Sequence, residues 1–170
     1  LTSEISSVLL GELDDIFETI VEDTQIELAV PASVRVEVLG RTGSESRDGR
    51  FLVALGPVQN DIERVAVLKV TCPKAQQNDE LAFELIAIGR AVDDRTKLET
   101  DNVRVRLTAV DVATNTAQYR DGEIAMIVAR TWSAHVVSTA AQMNRDAAYH
   151  EAESYIEREL RYFRRYVEGL

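Results

Sequence analysis

The chain has 170 residues, 45% hydrophobic and 28% charged, with 19 Lys and Arg against 29 Asp and Glu for a net charge of −10. That length and mix suit one domain or two small ones and exclude a collagen, a low-complexity tail and a disulfide scaffold, since one cysteine, Cys72, cannot bridge internally. No run approaches the ~18 apolar residues of a membrane-spanning helix, and the negative charge disfavours nucleic acid and anionic lipid as partners.

In chain order, the hydrophobic period divides the sequence into three. Residues 1–23 place Ile5, Leu9, Leu13, Ile16 and Ile20 at helical spacing, and the segment carries seven acidic and no basic residues. The pattern predicts an amphipathic helix whose apolar stripe must dock on something. Over residues 24–115 the period drops to two. Ile26, Leu28 and Val30 alternate with Gln25, Glu27 and Ala29, and Val34, Val36 and Val38 follow. A polar loop at 42–49 precedes Phe51–Leu55, which Gly56-Pro57 is expected to close. Apolar runs follow at 62–71 and 81–92, and Val103, Val105 and Leu107 alternate with Arg104, Arg106 and Thr108. About six strands without intervening helices predict an antiparallel β-sandwich. Residues 116–170 lack proline and return to helical spacing, with a polar break at Asn144-Arg145-Asp146, which predicts a helical hairpin. The expected fold is α+β: an antiparallel β-sandwich flanked by an N-terminal amphipathic helix and a C-terminal helical hairpin.

Catalytic chemistry finds little support in these residues. His135 lies on an apolar helix face and His150 just after the break, so neither is placed to serve a nucleophile, and both read as packed or surface histidines. His150-Glu151 lacks the second histidine of a zinc-protease helix, because position 154 is serine. Residues 93–102 carry many oxygen donors without the register of a calcium loop and read as a solvated turn. Asp14 and Asp15 point about 100° apart on a helix and cannot pair as a dyad. Phosphate-binding glycine loops are absent. Tyr162–Tyr166 interleaves aromatic and basic residues, yet residues 120–170 balance seven basic against eight acidic, so packing is preferred to base stacking. Cys72, at the end of an apolar run, reads as a buried small hydrophobe. The expected binding residues are therefore Leu9, Leu13, Ile16 and Ile20 on the first helix and the tyrosines Tyr155, Tyr162 and Tyr166 beside the last helix's stripe.

The order of the parts resembles a known family. Leu-Leu-Gly-Glu-Leu-Asp-Asp-Ile at 9–16 leads into Thr-Gln-Ile-Glu-Leu-Ala-Val-Pro at 24–31, Val-Arg-Val-Glu-Val-Leu-Gly at 34–40, Phe-Leu-Val-Ala-Leu-Gly-Pro at 51–57 and Glu-Arg-Val-Ala-Val-Leu-Lys-Val at 63–70. Glu-Ile-Ala-Met-Ile-Val-Ala-Arg at 123–130 opens the helical tail. This is similar to the region following the von Willebrand factor A domain in bacterial von Willebrand A proteins, the Ca-activated chloride-channel-like group. The resemblance implies a non-enzymatic, partner-binding fragment without its metal-binding half. A divalent metal is then expected only in the absent A domain, whose Asp-x-Ser-x-Ser motif this chain lacks, and no cofactor is expected here. The implied partner is a protein, with a homodimer as an alternative, no nucleic acid and no membrane insertion. A cytoplasmic location is expected, with an extracellular one as the alternative. Two other readings stand beside it: a free-standing β-sandwich ligand-binding or adhesion domain, and an enzyme built from scattered carboxylates.

Overall fold

The computed structural model describes residues 18–40 and 42–168. The described residues divide into two compact units, one of residues 18–36, 42–66 and 70–109 and one of residues 37–40, 67–69 and 110–168. The class is α+β, with antiparallel sheet in the first part of the chain and a helical hairpin at its end, as expected.

The sheet is built around β1 (Thr19–Ala29), which pairs antiparallel with β4 (Arg50–Gln59) and β6 (Glu80–Ala91). β3 (Ser44–Arg47) joins the free edge of β4, while β7 (Lys97–Glu99) and β8 (Val103–Thr108) share the far edge of β6 in tandem. Opposite residues of an antiparallel pair share a face. Leu28 stands between Phe51 and Leu85, and Ile26 between Val53 and Ala87, which gathers the alternating apolar residues of three strands on one side. Leu28, Val53 and Phe83 are buried there, each contributing roughly 1.5–3 kcal/mol by leaving water. A second sheet pairs β2 (Arg35–Leu39) with β5 (Val67–Thr71).

Four expectations need correction. Residues 19–23, assigned to the first helix, are strand, because β-branched Thr19 and Val21 pair with Gln59 and Val58 of β4 while Val21 and Glu22 pair with Ala91 and Arg90 of β6. The rest of that helix lies outside the described residues. The loop at 42–49 contains β3, turned back onto β4 through Asp48-Gly49, both at positive φ (52° and 76°) as a tight hairpin turn requires. Gly56-Pro57 does not end β4. Gly56 takes φ of 74° and absorbs a bulge, so pairing resumes through Val58 and Gln59. The run at 62–71 shortens to Val67–Thr71, where Arg64 instead donates to the Pro57 carbonyl at 2.8 Å.

A bulge in β1 near Asp23 (φ 52°) brings this strand hard against Gly89 of β6. A Cβ at Gly89 would meet Val21 Cγ1 at 2.5 Å and the Glu22 carbonyl oxygen at 3.3 Å. Gly89→Ala must therefore displace the Val21 side chain and press on the β1 backbone, and chemical denaturation is expected to show a loss of about 1–3 kcal/mol.

In the second unit, α1 (Val112–Thr116) is capped by Asp111, which accepts from the Thr114 amide at 2.9 Å. α2 (Gly122–Arg145) is capped by Asp121, which accepts from the Ile124 amide at 3.0 Å. The chain reverses at Asp146–Ala148, with Ala147 at φ 59°, into α3 (Tyr149–Val167). The break thus falls where the polar triplet placed it. Ala125, Ala129 and Ala140 of α2 and Ala152 of α3 are buried, so small side chains set the helix packing. Trp132 stacks edge-on against Phe163 and Tyr166, with ring centroids 5.5 and 5.9 Å apart.

Candidate interaction surfaces

The most constrained polar group is Glu159 on α3, whose side chain is only 3% exposed. Both its oxygens accept from Lys69 Nζ of β5, at 2.8 and 2.9 Å, and Oε2 also accepts from Trp132 Nε1 at 3.0 Å. Arg158 Nε is 3.6 Å away. Burial pushes the Glu159 carboxyl up, but the hydrogen bonds from Lys69 and Trp132 with the nearby cations outweigh it and hold the group below the usual carboxylate range. An ionised, fully partnered carboxylate of this kind fixes a helix against a strand; a general acid needs the opposite shift. The sequence reading missed it, although the signal was present. Glu159 interrupts the stripe Ala152, Ile156, Phe163, and Lys69 interrupts Val67, Leu68, Val70.

His135 is a packing residue. The Gly40 amide donates to its Nδ1 at 3.1 Å, and its Nε2 lies 3.4 Å from a Glu37 oxygen, so both ring nitrogens hold the end of β2. Gly40 itself sits at φ 99°, where a side chain is strained. His150 is exposed near the start of α3. Cys72 is exposed, not buried as expected, because β5 ends at Thr71 and the chain leaves the sheet before it.

On the face of the large sheet opposite Leu28 and Val53, charges are matched in pairs around a cleft of about 280 Å³. Arg50 binds Glu27 at 3.1 Å, Lys97 binds Glu99 at 2.7 Å, and Arg104 binds Glu84. The Arg104 hydrogen bond and charge, helped by Asn102, hold Glu84 below the usual carboxylate range. Residues 93–102, read as a solvated turn, form the β6–β7 turn and β7. Among the described residues, no group of three or more His, Cys, Asp or Glu side chains is placed to hold a metal. No described helix is long and apolar enough to cross a membrane.

Of the residues expected to bind a partner, Leu9, Leu13 and Ile16 lie outside the described residues. Ile20 is an exposed β1 side chain in the first unit. The three tyrosines line one side of α3, but packing claims two of them. Tyr166 donates to the Ala125 carbonyl at 3.5 Å and lies under Arg120 at 5.0 Å. Tyr155 is half-buried, and that burial pushes its hydroxyl pKa up against a Thr139 hydrogen bond. Tyr162 is 53% exposed.

The hairpin exposes more apolar surface than the tyrosines supply. Val137 is 67% and Leu160 40% exposed, and Ile124, Met126 and Ile127 are exposed on α2. Val136, Val137, Ile156, Leu160 and Phe163 line a cleft of about 170 Å³ between the helices. A broader depression continues over Met126, Ala129, Phe163 and Val167. A comparison with known protein families, curated proteins and solved structures finds no match to this chain.

Proposed function

We propose that this chain is a non-enzymatic interaction and assembly module, of the kind that follows the von Willebrand factor A domain in the family it resembles. The observation that carries this reading is the apolar face of the hairpin, where Met126, Val137 and Leu160 flank an open interhelical cleft. Exposed apolar surface of this continuity is characteristic of docking sites. Glu84, Asp94, Asp111 and Glu159 are all held below the usual carboxylate range by hydrogen bonds, which supports binding over proton transfer. A carbohydrate-binding sandwich is less well supported, since Phe51 and Phe83, the aromatics of the strand region, are half-buried and buried.

Calorimetry with a von Willebrand A domain encoded at the same locus tests the reading. Saturable binding is expected, weakened at least about tenfold by Val137→Asp with Leu160→Asp, both of which are exposed enough to leave the fold intact. No saturable binding to the A domain would sink it, and saturable binding to a sugar ligand would move the chain to the sandwich reading.

A further inference from the structure

Strand β8 leaves one edge of the large sheet open. It pairs with β6, from Glu80 opposite Thr108 to Leu85 opposite Val103, and its other edge carries no strand among the described residues. Just beyond its end, Ala109 donates to the Asp79 carbonyl and accepts from the Asn78 amide, both at 2.8 Å. Antiparallel pairing alternates from there: Leu107, Val105 and Val103 turn their backbone groups to β6, and Thr108, Arg106 and Arg104 turn theirs outward. The side chains alternate as well. Val103, Val105 and Leu107 lie on the face of Phe83 and Leu85, yet all three are exposed, Val103 by 56%. Arg104 and Arg106 point to the other face. Arg104 is held by Glu84, while Arg106 stands opposite Ala82 with no ion pair among the described residues, Glu80 and Glu84 being its diagonal neighbours.

We propose that the β8 edge receives an extended acidic segment of a protein partner, alternating apolar and Asp or Glu residues, as an added strand. The outward N–H and C=O groups of Arg104, Arg106 and Thr108 supply its main-chain hydrogen bonds. Its apolar residues extend the face of Val105 and Leu107, and its carboxylates meet Arg106. A second copy of β8 is a poor occupant, because antiparallel self-pairing centred on Val105 sets Arg104 against Arg106, and centring on either arginine sets it against itself. The same arginines that block self-addition select an acidic strand. The inference rests on the interaction-module reading and names the chemistry of a partner at the sheet edge of the first unit, whereas the hairpin cleft belongs to the second.

The probe is a fluorescent synthetic peptide alternating valine and glutamate over the length of β8, followed by anisotropy. Saturable binding is expected, with a valine–lysine peptide not binding. Arg106→Pro removes an outward N–H that β6 does not use, so the sheet should melt unchanged while affinity falls at least about tenfold. Arg106→Glu should exchange the preference for the lysine peptide. Equal binding of both peptides, or affinity untouched by Arg106→Pro in a folded variant, overturns the proposal. If the A domain binds and Val137→Asp with Leu160→Asp weakens it, while the acidic peptide does not bind, the edge inference fails and the module reading stands. If the peptide binds and the A domain does not, the reverse holds.

Discussion

Replacing Lys69 with methionine is expected to destabilise the helical unit by about 3 kcal/mol at neutral pH, the low end for breaking a buried ion pair. Glu159 would stay buried and charged, keeping only the Trp132 N–H and the more distant Arg158. Adding Glu159→Gln should recover most of the loss, because the amide still accepts from Trp132 and carries no charge to strand. The pH dependence follows from the sign of the shift. In the wild type the Glu159 pKa is depressed, so its stabilisation is present above the unfolded-state value and fades as pH falls through the folded one. In Lys69→Met, burial works against a weaker set of partners and the pKa rises, so the folded variant takes up a proton earlier and is relieved. The gap between the two proteins should narrow as the pH is lowered to ~4, as read by urea titrations at each pH. A gap independent of pH would mean that Lys69 acts through packing on the Trp132 ring, 6.0 Å away, and not through Glu159.

Phe163→Ala is expected to cost about 3 kcal/mol, toward the lower end for a buried aromatic because the ring is half-exposed. It removes the edge-on partner of Trp132 and opens the floor of both hairpin depressions. Tyr162→Ala, one residue earlier and exposed, should cost no more than about 0.5 kcal/mol. Thermal unfolding of the two variants side by side checks the register of α3, and equal losses would be incompatible with it.

Much of the local structure was legible in the residues. The alternation of Ile26 and Leu28 against Gln25 and Glu27 marks a half-buried strand, since side chains two apart share a face. The polar triplet at 144–146 marks the helix reversal, and Asp121 marks the start of α2. Asp48-Gly49 was a legible turn as well; reading the segment around it as loop gave its serines and charges too much weight and the positive-φ pair too little. The β4 bulge was harder to foresee. Gly56-Pro57 is a strand stop by composition, and only the demand of Val58 and Gln59 for partners on β1 carries the strand through it.

The candidate surfaces divide in the same way. Sequence alone determined an α+β chain with an antiparallel sheet followed by a helical hairpin, because hydrophobic period is a local property. Which strands neighbour β1, and that β8 has β6 as its one partner among the described residues, are choices among distant segments that no local pattern encodes. The same holds for Glu159. Its place on an apolar stripe was visible, but whether a stripe carboxylate faces water or a partner depends on Lys69 and Trp132, 90 and 27 residues away in the chain. The tyrosines show the converse: three residues equivalent by spacing differ in exposure because Ala125, Arg120 and Thr139 cover two of them and leave Tyr162 exposed. Helical spacing assigns a side chain to a side of its helix; only tertiary packing decides what, if anything, lies against that side.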